Sequence, residues 1–265
     1  MTLPTVTFSG RTVSRFIIGG NQFSGFSHQG VERDAAMMKY FTVERIKATL
    51  RDAESRGINT FLGRTDRHIT RMLSEYRGEG GTIQWFAQSC PEFDSIERSV
   101  TEAESWGATA CYIHGGVMDF KFANGQLDDV AGIMTMIRDK GMAAGIAGHN
   151  PDVFAWAENA IDVDFYMCSY YNASHRDEKA EHVHGRPEWF LPEDRHAMAV
   201  RIAGLSRPVI HYKILAAGRN DPDEAFAFAA RHMRPGDAAC VGVCPMDDPG
   251  MLDTDIALFN KHVGG

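Results

Sequence analysis

The stretch TVERIKATLRDAESRGINTFLGR, residues 42 to 64, contains a helix pattern, a stop signal and a strand pattern in succession. Apolar residues recur at helical spacing, as at Ile46 and Leu50, and Gly57 is a typical residue for the end of such a helix. The apolar run over residues 59–64 then predicts a buried strand. This stretch therefore predicts the helix-to-strand connection of a parallel α/β fold.

The same alternation of apolar runs and helical patterns continues along the chain. Helix patterns include SIERSVTEAESWG (95–107), LDDVAGIMTMIRDKG (127–141) and DPDEAFAFAARHM (221–233), each bounded by Gly or Pro. Eight such units close a (β/α)8 barrel, so we predict a single TIM-barrel domain over residues 1–265. The predicted strands are Phe16–Asn21, Asn59–Arg64, Thr82–Cys90, Ala110–His114, Ala143–His149, Phe165–Tyr170, Pro208–Leu215 and Ala238–Cys244.

Two segments do not fit the repeating unit. Residues 5–16, TVTFSGRTVSRF, predict an N-terminal β-hairpin around Ser9 and Gly10 that would plug the barrel floor, with a frayed arm as the alternative. Residues 171–192 are polar and longer than an ordinary connection, so we predict a lid-like insertion after the sixth barrel strand. Within it, Trp189 and Phe190 would close over a substrate or pack the lid down.

The composition is typical of a globular protein with a sizeable core. Of the 265 residues, 44% are hydrophobic and 23% are charged. The formal net charge of −8, without a basic run, excludes the charge pattern typical of a nucleic-acid binder. The N-terminus lacks a signal-like apolar region, and no apolar run approaches the roughly 20 residues of a membrane helix. We therefore expect a cytoplasmic protein that binds a small molecule and neither nucleic acid nor membrane, while the sequence leaves a homo-oligomer open.

The cysteines also favour a reducing compartment. Their number, five, is odd, and most lie inside apolar runs, as reduced core residues do. No CxxC pair is present, so a structural zinc knuckle is not expected.

Six short segments occur in an order that is informative when they are taken together. They are VSRFIIGGN (13–21), AESRGINTF (53–61), YIHGG (112–116), GIAGHNP (145–151), YYN (170–172) and YKILAAGR (212–219). With these segments the chain resembles the aldo/keto reductase superfamily over nearly its whole length. The resemblance implies the barrel fold, a nicotinamide cofactor and a catalytic set of Asp, Tyr, Lys and His.

Most of that implied catalytic set is missing. His114 matches the family histidine, but Gln88 stands at the lysine position, Leu62 at the aspartate position and Arg67 approximately at the tyrosine position. In the family, a tyrosine with a depressed pKa donates the proton that makes carbonyl reduction feasible at neutral pH. Neither Gln88 nor Leu62 can tune the pKa of such an acid, so we do not expect reduction by the family mechanism.

The resemblance also implies a weakened cofactor site. Asn150 matches an asparagine that holds the nicotinamide carboxamide, whereas Cys168 lies near the position of the partner glutamine. After the last strand, where the family has basic residues for the adenosine phosphate, this chain has Asp247 and Asp248, which would repel a phosphate. We therefore expect weak or no NADP binding, with Asn150 as the remaining cofactor contact. No GxGxxG motif offers another dinucleotide site.

The carboxyl ends of the barrel strands carry the candidate site, because function lies there in TIM barrels. Side chains from separate strand ends can converge on one cavity, and this set suits a small polar substrate with a carboxylate, a phosphate or several hydroxyls. The polar residues at these ends are Asn21, Arg64, Gln88, His114, His149, Tyr171, Asn172 and Lys213.

The residue types predict distinct roles. His114 would polarise a carbonyl or move a proton, Lys213 or His149 would act as base, and Arg64 would anchor an anionic group. Substrate would also contact Asn21, Gln88, Tyr171 and Asn172.

Each role has a structural alternative. His114 and His149 would otherwise be hydrogen-bonded structural histidines. Lys213 would otherwise point outward and extend between helices to solvent. His211, two residues before Lys213, is predicted to be structural.

A metal site is a further hypothesis. In an extended segment His182 and His184 project to one side and would bind a divalent metal together with His114 or His149. The alternative is that both loop histidines are simply solvated.

The residues favour an enzyme that acts on a carbonyl in a sugar-like or hydroxy-acid compound. The leading hypothesis is non-redox acid/base chemistry, as in an isomerase or lyase. One alternative is an NAD(P)H-dependent oxidoreductase that has recruited another proton donor. The other is a catalytically inactive barrel used for binding or assembly, which would have no pocket.

Overall fold

Eight parallel strands close a barrel in the computed structural model, which describes residues 3–93, 95–172 and 188–263. The strands are β1 (Thr5–Phe8), β2 (Arg11–Ser14), β3 (Phe16–Gly19), β4 (Thr60–Arg64), β5 (Gln84–Gln88), β6 (Ala110–Ile113), β7 (Ala143–Gly148), β8 (Phe165–Ser169), β9 (Val209–Tyr212) and β10 (Ala238–Gly242). β3 to β10 pair in chain order, and β10 closes the sheet against β3. The predicted (β/α)8 TIM barrel is confirmed.

Helices follow the strands and cover the outside of the barrel. They are α1 (Val31–Tyr40), α2 (Val43–Ser55), α3 (Arg67–Gly78), α4 (Ile96–Ser105), α5 (Gly115–Ala123), α6 (Val130–Asp139), α7 (Pro151–Ala160), α8 (Pro192–Ala203), α9 (Pro222–His232) and α10 (Met251–Val263). The longest of these described helices, α2 and α10, have 13 residues each, and none is long and apolar enough to cross a bilayer.

The stretch over residues 42–64 forms the predicted unit. Thr42 caps α2, because its side chain accepts a hydrogen bond from the backbone N–H of Arg45. Gly57 has a φ of 89°, a left-handed conformation that turns the chain from the end of α2 toward β4. Ile46 and Leu50 are fully buried between α2 and the sheet.

Most predicted barrel strands extend past the observed carboxyl ends. The prediction through His114 ends at Ile113, because His114 caps the next helix. The prediction through Leu215 ends at Tyr212, because Lys213 has a φ of 57° and leaves the extended conformation. The residues beyond the strands belong to the mouth, by which we mean the barrel end where the eight strands finish.

The N-terminal hairpin closes the opposite end of the barrel. β1 and β2 pair antiparallel around Ser9 and Gly10, as predicted. Phe8 is fully buried, and its ring makes edge contacts with Phe86 and Phe165 at centroid distances of 6.3 and 6.1 Å. The hairpin is therefore a plug and not a frayed arm.

Side chains alternate along the barrel wall between its interior and the helix layer. In β9, Ile210 belongs to the inner cluster, whereas His211 faces outward. His211 is fully buried and contacts the Tyr170 hydroxyl at 3.0 Å and the Asp237 carboxylate at 3.2 Å. His211 is thus structural, as predicted.

The fit of the plug can be tested by truncating Phe8. We expect Phe8→Ala to lower the free energy of unfolding by about 3–5 kcal/mol, because it leaves a cavity among aromatic rings. Val200→Ala is the control, since Val200 is 77% exposed and its loss should change stability by less than about 0.5 kcal/mol. Denaturant unfolding of both variants measures the difference. Equal, small effects would show that the hairpin does not close the barrel.

Candidate active site

A cavity of about 450 Å³ opens at the mouth of the barrel. It brings together six of the predicted site residues, which are Asn21, Arg64, Gln88, His114, His149 and Lys213. Among its other lining residues are His28, Glu92, Phe120 and Tyr212. The polar ends of several strands therefore converge on one space, and the cavity carries both cationic and imidazole groups.

Two of the other predicted substrate contacts, Tyr171 and Asn172, do not line this cavity. The Tyr171 hydroxyl accepts a hydrogen bond from Asn220 at 2.7 Å, and the ring packs on Phe190. Asn172 donates its backbone N–H to Asp194 on α8. Both residues join β8 to the helix layer, so the structure does not place them against a substrate in this cavity.

His149 is oriented by a buried carboxylate. Its Nδ1 lies 2.7 Å from Oδ2 of Asp119, and the two side chains are only 10% and 5% exposed. An Nδ1–H that donates to Asp119 leaves Nε2 as the acceptor, and the Tyr212 hydroxyl lies 3.3 Å from this nitrogen. The pair therefore holds His149 in the tautomer in which Nε2 can take a proton from the cavity side.

Asp119 is fixed by the backbone as well as by His149. Its Oδ1 accepts the backbone N–H groups of His149 and Asn150 at 3.1 and 3.2 Å. Asp119 itself lies on α5, the helix that follows β6. The carboxylate thus joins α5 to the end of β7 and holds the imidazole with little freedom.

His114 is held in a defined tautomer by the helix that it caps. Its Nδ1 accepts the backbone N–H of Gly116 at 3.1 Å at the first turn of α5. The neutral ring therefore carries its proton on Nε2. The positive end of the α5 dipole also favours this neutral form. His114 lines the cavity, so its Nε2–H is suited to donate a hydrogen bond to a substrate oxygen.

Gly115 leaves room for the His149 ring and the Tyr212 hydroxyl. A Cβ at this position would lie 2.9 Å from Cε1 of His149 and 3.0 Å from the Tyr212 hydroxyl oxygen. Both distances are shorter than ordinary van der Waals contacts. The residue after His114 must therefore lack a side chain for His149 and Tyr212 to keep their positions beside it.

Lys213 reaches the cavity through a left-handed turn. Strand alternation would place Lys213 on the outward side with His211, but its φ of 57° ends the alternation, and Lys213 lines the cavity. A lysine rarely adopts this conformation, which costs free energy and is frequent at functional sites. Burial lowers the pKa of Lys213, although the Glu188 carboxylate 4.0 Å away opposes this effect.

A second histidine and carboxylate pair faces the same space. His28 also has a left-handed φ, 58°, and its Nδ1 lies 2.7 Å from Glu188. Its Nε2 accepts a hydrogen bond from the Asn21 amide at 3.2 Å. Burial, followed by the charge of Lys213, lowers the pKa of His28 in spite of Glu188. The Nε2 of each imidazole thus has a polar neighbour, Asn21 for His28 and Tyr212 for His149.

Arg64 is less available than predicted. It forms ion pairs with Glu92 and with Asp66, the latter at 3.3 Å, and stacks over the Phe26 ring at 4.6 Å. Its guanidinium is buried, whereas the Glu92 side chain is 62% exposed. An anionic substrate group would therefore compete with Glu92 for Arg64.

The described part of the predicted lid consists of residues 171, 172 and 188–192. Phe190 packs on Tyr171, and the Arg219 guanidinium lies 4.3 Å from the Phe190 ring centroid. Trp189 is 47% exposed. Residues 173–187, with His182 and His184, lie outside the described residues. Within the described ranges, no three His, Cys, Asp or Glu side chains are arranged to hold a metal ion.

A second cavity of about 500 Å³ adjoins the first and runs along the ends of β3, β9 and β10. Both cavities are lined by Asn21, Phe26, His28, Gln88, Tyr212 and Lys213. The acidic residues Asp247, Asp248 and Asp255 line its far part. Asp247 pairs with Arg33, and Asp255 is 3% exposed with an Oδ2 that has no hydrogen-bond partner among the described residues.

This second cavity does not fit a nicotinamide dinucleotide phosphate. Cys168 is fully buried and packs toward the helix layer, so it cannot contact a ligand in the mouth. Asn150 uses its side-chain oxygen to cap α7, at 2.9 Å from the backbone N of Asp152. Asp247 and Asp248 also line this cavity, and their carboxylates would repel a phosphate there.

Comparison with known proteins supports the fold. No family model matches the sequence, and no curated protein matches it. A proposed aldo-keto reductase from Pseudomonas aeruginosa is 18% identical, with a TM-score of 0.64 over 98% of this chain and 94% of that chain. An aldo/keto reductase from Brucella melitensis is 10% identical, with a TM-score of 0.57 over 98% and 99%.

A truncated 3-deoxy-D-arabino-heptulosonate 7-phosphate synthase from Thermotoga maritima is similar to a comparable degree. It is 12% identical, with a TM-score of 0.54 over 99% of this chain and 90% of that chain. At these identities the similarities establish the barrel fold alone. Some structural neighbours are thus aldo/keto reductases, but no family model assigns the chain to that family.

Four residues of the site were not predicted, namely His28, Asp119, Glu188 and Tyr212. The sequence pattern could have indicated Asp119 as a site residue, because it is a lone carboxylate within the apolar helix Gly115–Ala123. Strand alternation could have indicated Tyr212, because it places this side chain on the inward face of the strand, as it does Ile210. His28 and Glu188 lie in loops without periodicity, and nothing in the sequence pairs them.

Asp255 predicts a pH dependence of stability. Burial, assisted by the charge of Asp248, raises the pKa of Asp255 from 3.8 to about 7. Between these two values the folded state binds more protons than the unfolded state, so the contribution of Asp255 to stability falls as pH rises from about 4 to 7. We expect Asp255→Asn to be more stable than the natural chain at pH 8, by at most about 4 kcal/mol, and this difference to vanish near pH 4.

Thermal unfolding across this pH range measures the effect. Asp128→Asn is the matched control, because Asp128 is exposed and should show no such difference. If Asp255→Asn and Asp128→Asn gave the same pH profile, the Asp255 carboxyl would be ionised in the fold without penalty.

Proposed function

We propose that this chain is a barrel enzyme that moves a proton next to the carbonyl of a small polyhydroxy or hydroxy-acid substrate, as an isomerase or lyase. The observation that carries the proposal is the Asp119–His149 pair, whose Nε2 side lines the same cavity as His114. A positioned base and a positioned hydrogen-bond donor on one carbonyl compound are the two requirements of this chemistry.

The chemistry follows from the two tautomers. His149 Nε2 removes the proton from the carbon beside the carbonyl, and Asp119 stabilises the imidazolium that forms. His114 donates its Nε2–H to the carbonyl oxygen, where negative charge develops as the enolate forms. Isomerisation follows when the proton of the neighbouring hydroxyl passes to the former carbonyl oxygen and the His149 imidazolium returns its proton to the former carbonyl carbon. Elimination follows when a hydroxyl on the next carbon takes the imidazolium proton and leaves as water.

Lys213 supplies positive charge to the same intermediate. It is buried and lines both cavities, so its ammonium would stabilise an enolate oxygen or a carboxylate of the substrate. The lowered pKa of Lys213 also makes its neutral amine more accessible than that of an exposed lysine. This amine is the second candidate base in the cavity.

Solvent exchange tests the proposal with a panel of small carbonyl and hydroxy-acid compounds. The protein is incubated in D₂O with glyceraldehyde, dihydroxyacetone, D-ribose, D-xylose and malate, and NMR follows the hydrogens beside each carbonyl and any new product. We expect deuterium incorporation into at least one compound. NADPH oxidation with the same compounds, in the absence of exchange, would favour the reductase alternative. Neither reaction would favour the inactive barrel, although the cavity at the mouth argues against it.

Removal of the Asp119 carboxylate should disable His149 as a base. We expect Asp119→Asn to lower the exchange rate about 10²-fold to 10⁴-fold, because an amide stabilises neither the Nδ1–H tautomer nor the imidazolium. Substrate affinity, measured separately, should change little. Asp139→Asn is the control, since Asp139 is exposed at the end of α6. Equal rates in the two variants would exclude His149 as the base.

His114 can be tested without loss of its helix cap. Asn is a favoured N-cap residue, so His114→Asn keeps an acceptor for the Gly116 N–H but removes the Nε2–H donor. We expect a rate loss of about 10²-fold or more with the free energy of unfolding changed by less than about 1 kcal/mol. Turnover and melting temperature are measured on one preparation. Intact turnover with lower stability would assign His114 a purely structural role.

A further inference from the structure

Tyr112 places a hydroxyl without a partner at the floor of the mouth. Its side chain is fully buried on β6 and packs edge-on against Phe165, with ring centroids 6.3 Å apart. Among the described residues, no group forms a hydrogen bond with its hydroxyl. A buried hydroxyl that lacks a partner costs free energy, so it requires an explanation.

The surroundings of this hydroxyl belong to the ligand space. Tyr112 lines the second cavity together with Gln88, Tyr212 and Lys213. This part of the cavity lies at the ends of β4 to β10. Several other residues that line this part of the cavity are apolar or weakly polar, namely Leu62, Ala147, Met167 and Cys240. Tyr112 thus brings a hydroxyl that has no partner among the described residues into a mainly apolar part of the lining.

Strand alternation relates Tyr112 to the proposed chemistry. Tyr112 lies in β6 and His114 directly follows this strand, so Tyr112 is deeper in the barrel. The two residues line the two adjoining cavities. A substrate whose carbonyl meets His114 would therefore extend its inner end toward Tyr112. That end of the substrate would meet the Tyr112 hydroxyl among mainly apolar side chains.

We propose that Tyr112 is a specificity-determining residue that hydrogen-bonds a terminal hydroxyl on the inserted end of the substrate. This inference rests on the proposed function and narrows its substrate class to carbonyl compounds with a hydroxyl at the end of the chain. A site with a buried group that needs a partner discriminates strongly against an analogue that lacks the matching hydroxyl, because the group then stays unsatisfied.

Two pairs of probes test this inference. Dihydroxyacetone is compared with hydroxyacetone, and D-ribose with 5-deoxy-D-ribose, because each pair differs by one terminal hydroxyl. Saturation-transfer NMR gives binding, and deuterium incorporation from D₂O gives exchange. We expect the natural chain to prefer the hydroxylated member of at least one pair by about 10-fold or more. Tyr112→Phe should remove this preference by weakening binding of that member alone.

Stability provides an independent readout. Tyr112→Phe should leave the melting temperature unchanged or raise it, because it removes an unsatisfied buried hydroxyl while keeping the ring. The matched control is Tyr166→Phe, since the Tyr166 hydroxyl donates to Glu158 at 3.0 Å on the outward face of β8. This control should lower the melting temperature and leave the probe preference intact.

The outcomes separate this inference from the proposed function. Preferential binding that Tyr112→Phe abolishes, without any exchange, would support the floor contact and contradict the proposed reaction. Exchange together with a preference that Tyr112→Phe leaves unchanged would support the proposed reaction and contradict the contact with Tyr112. The inference is overturned if the variant lowers the melting temperature as Tyr166→Phe does, or if neither member of either pair binds.

Discussion

Closure of a parallel sheet into a barrel forces every second side chain into a narrow interior, and the arrangement of this protein depends on that constraint. At the floor, the Phe8 ring fills the interior against Phe86 and Phe165. At the mouth, the inward positions become the cavity, as Tyr112, Gln88 and Tyr212 show. The packed interior near Phe8 and the cavity at the mouth are therefore the two ends of one column of inward-facing side chains.

The mouth combines charges that the interior could not hold separately. Asp119 is almost completely buried, and it is tolerated because His149 and two backbone amides donate to it. Glu188 lies 2.7 Å from His28 Nδ1 and forms an ion pair with Lys213 at 4.0 Å. Each imidazole is thereby held in one orientation. Such fixed dipoles act on a developing charge without reorganising, which is the advantage of a preorganised site.

The sequence predicts the architecture well because the barrel repeats one simple physical pattern. Periodicities of 2.0 and 3.6 residues, with glycine stops such as Gly57, determine the strands, the helices and their order. The hairpin follows from two short apolar alternations around Ser9 and Gly10. The convergence of His114 and His149 follows from their positions at strand ends.

The sequence predicts the site less completely because pairing depends on geometry. Lys213 reaches the cavity only through a left-handed backbone conformation, and the presence of a lysine in the sequence does not predict this conformation. Arg64 was predicted as a free anion anchor, but Glu92, which is distant in sequence, pairs with it. Asp119 comes from the helix after β6 and meets a histidine after β7. These contacts between separate units have no local signature.

The plug formed by Phe8 also determines the route of exchange with solvent. Because Phe8 closes one end, a molecule that enters the column past Lys213 from the mouth would leave through the mouth again. For the proposed activity, product departure and substrate arrival would then be mutually exclusive events. Product would act as a competitive inhibitor, and turnover in a cell would respond to the ratio of the two compounds and not to substrate alone.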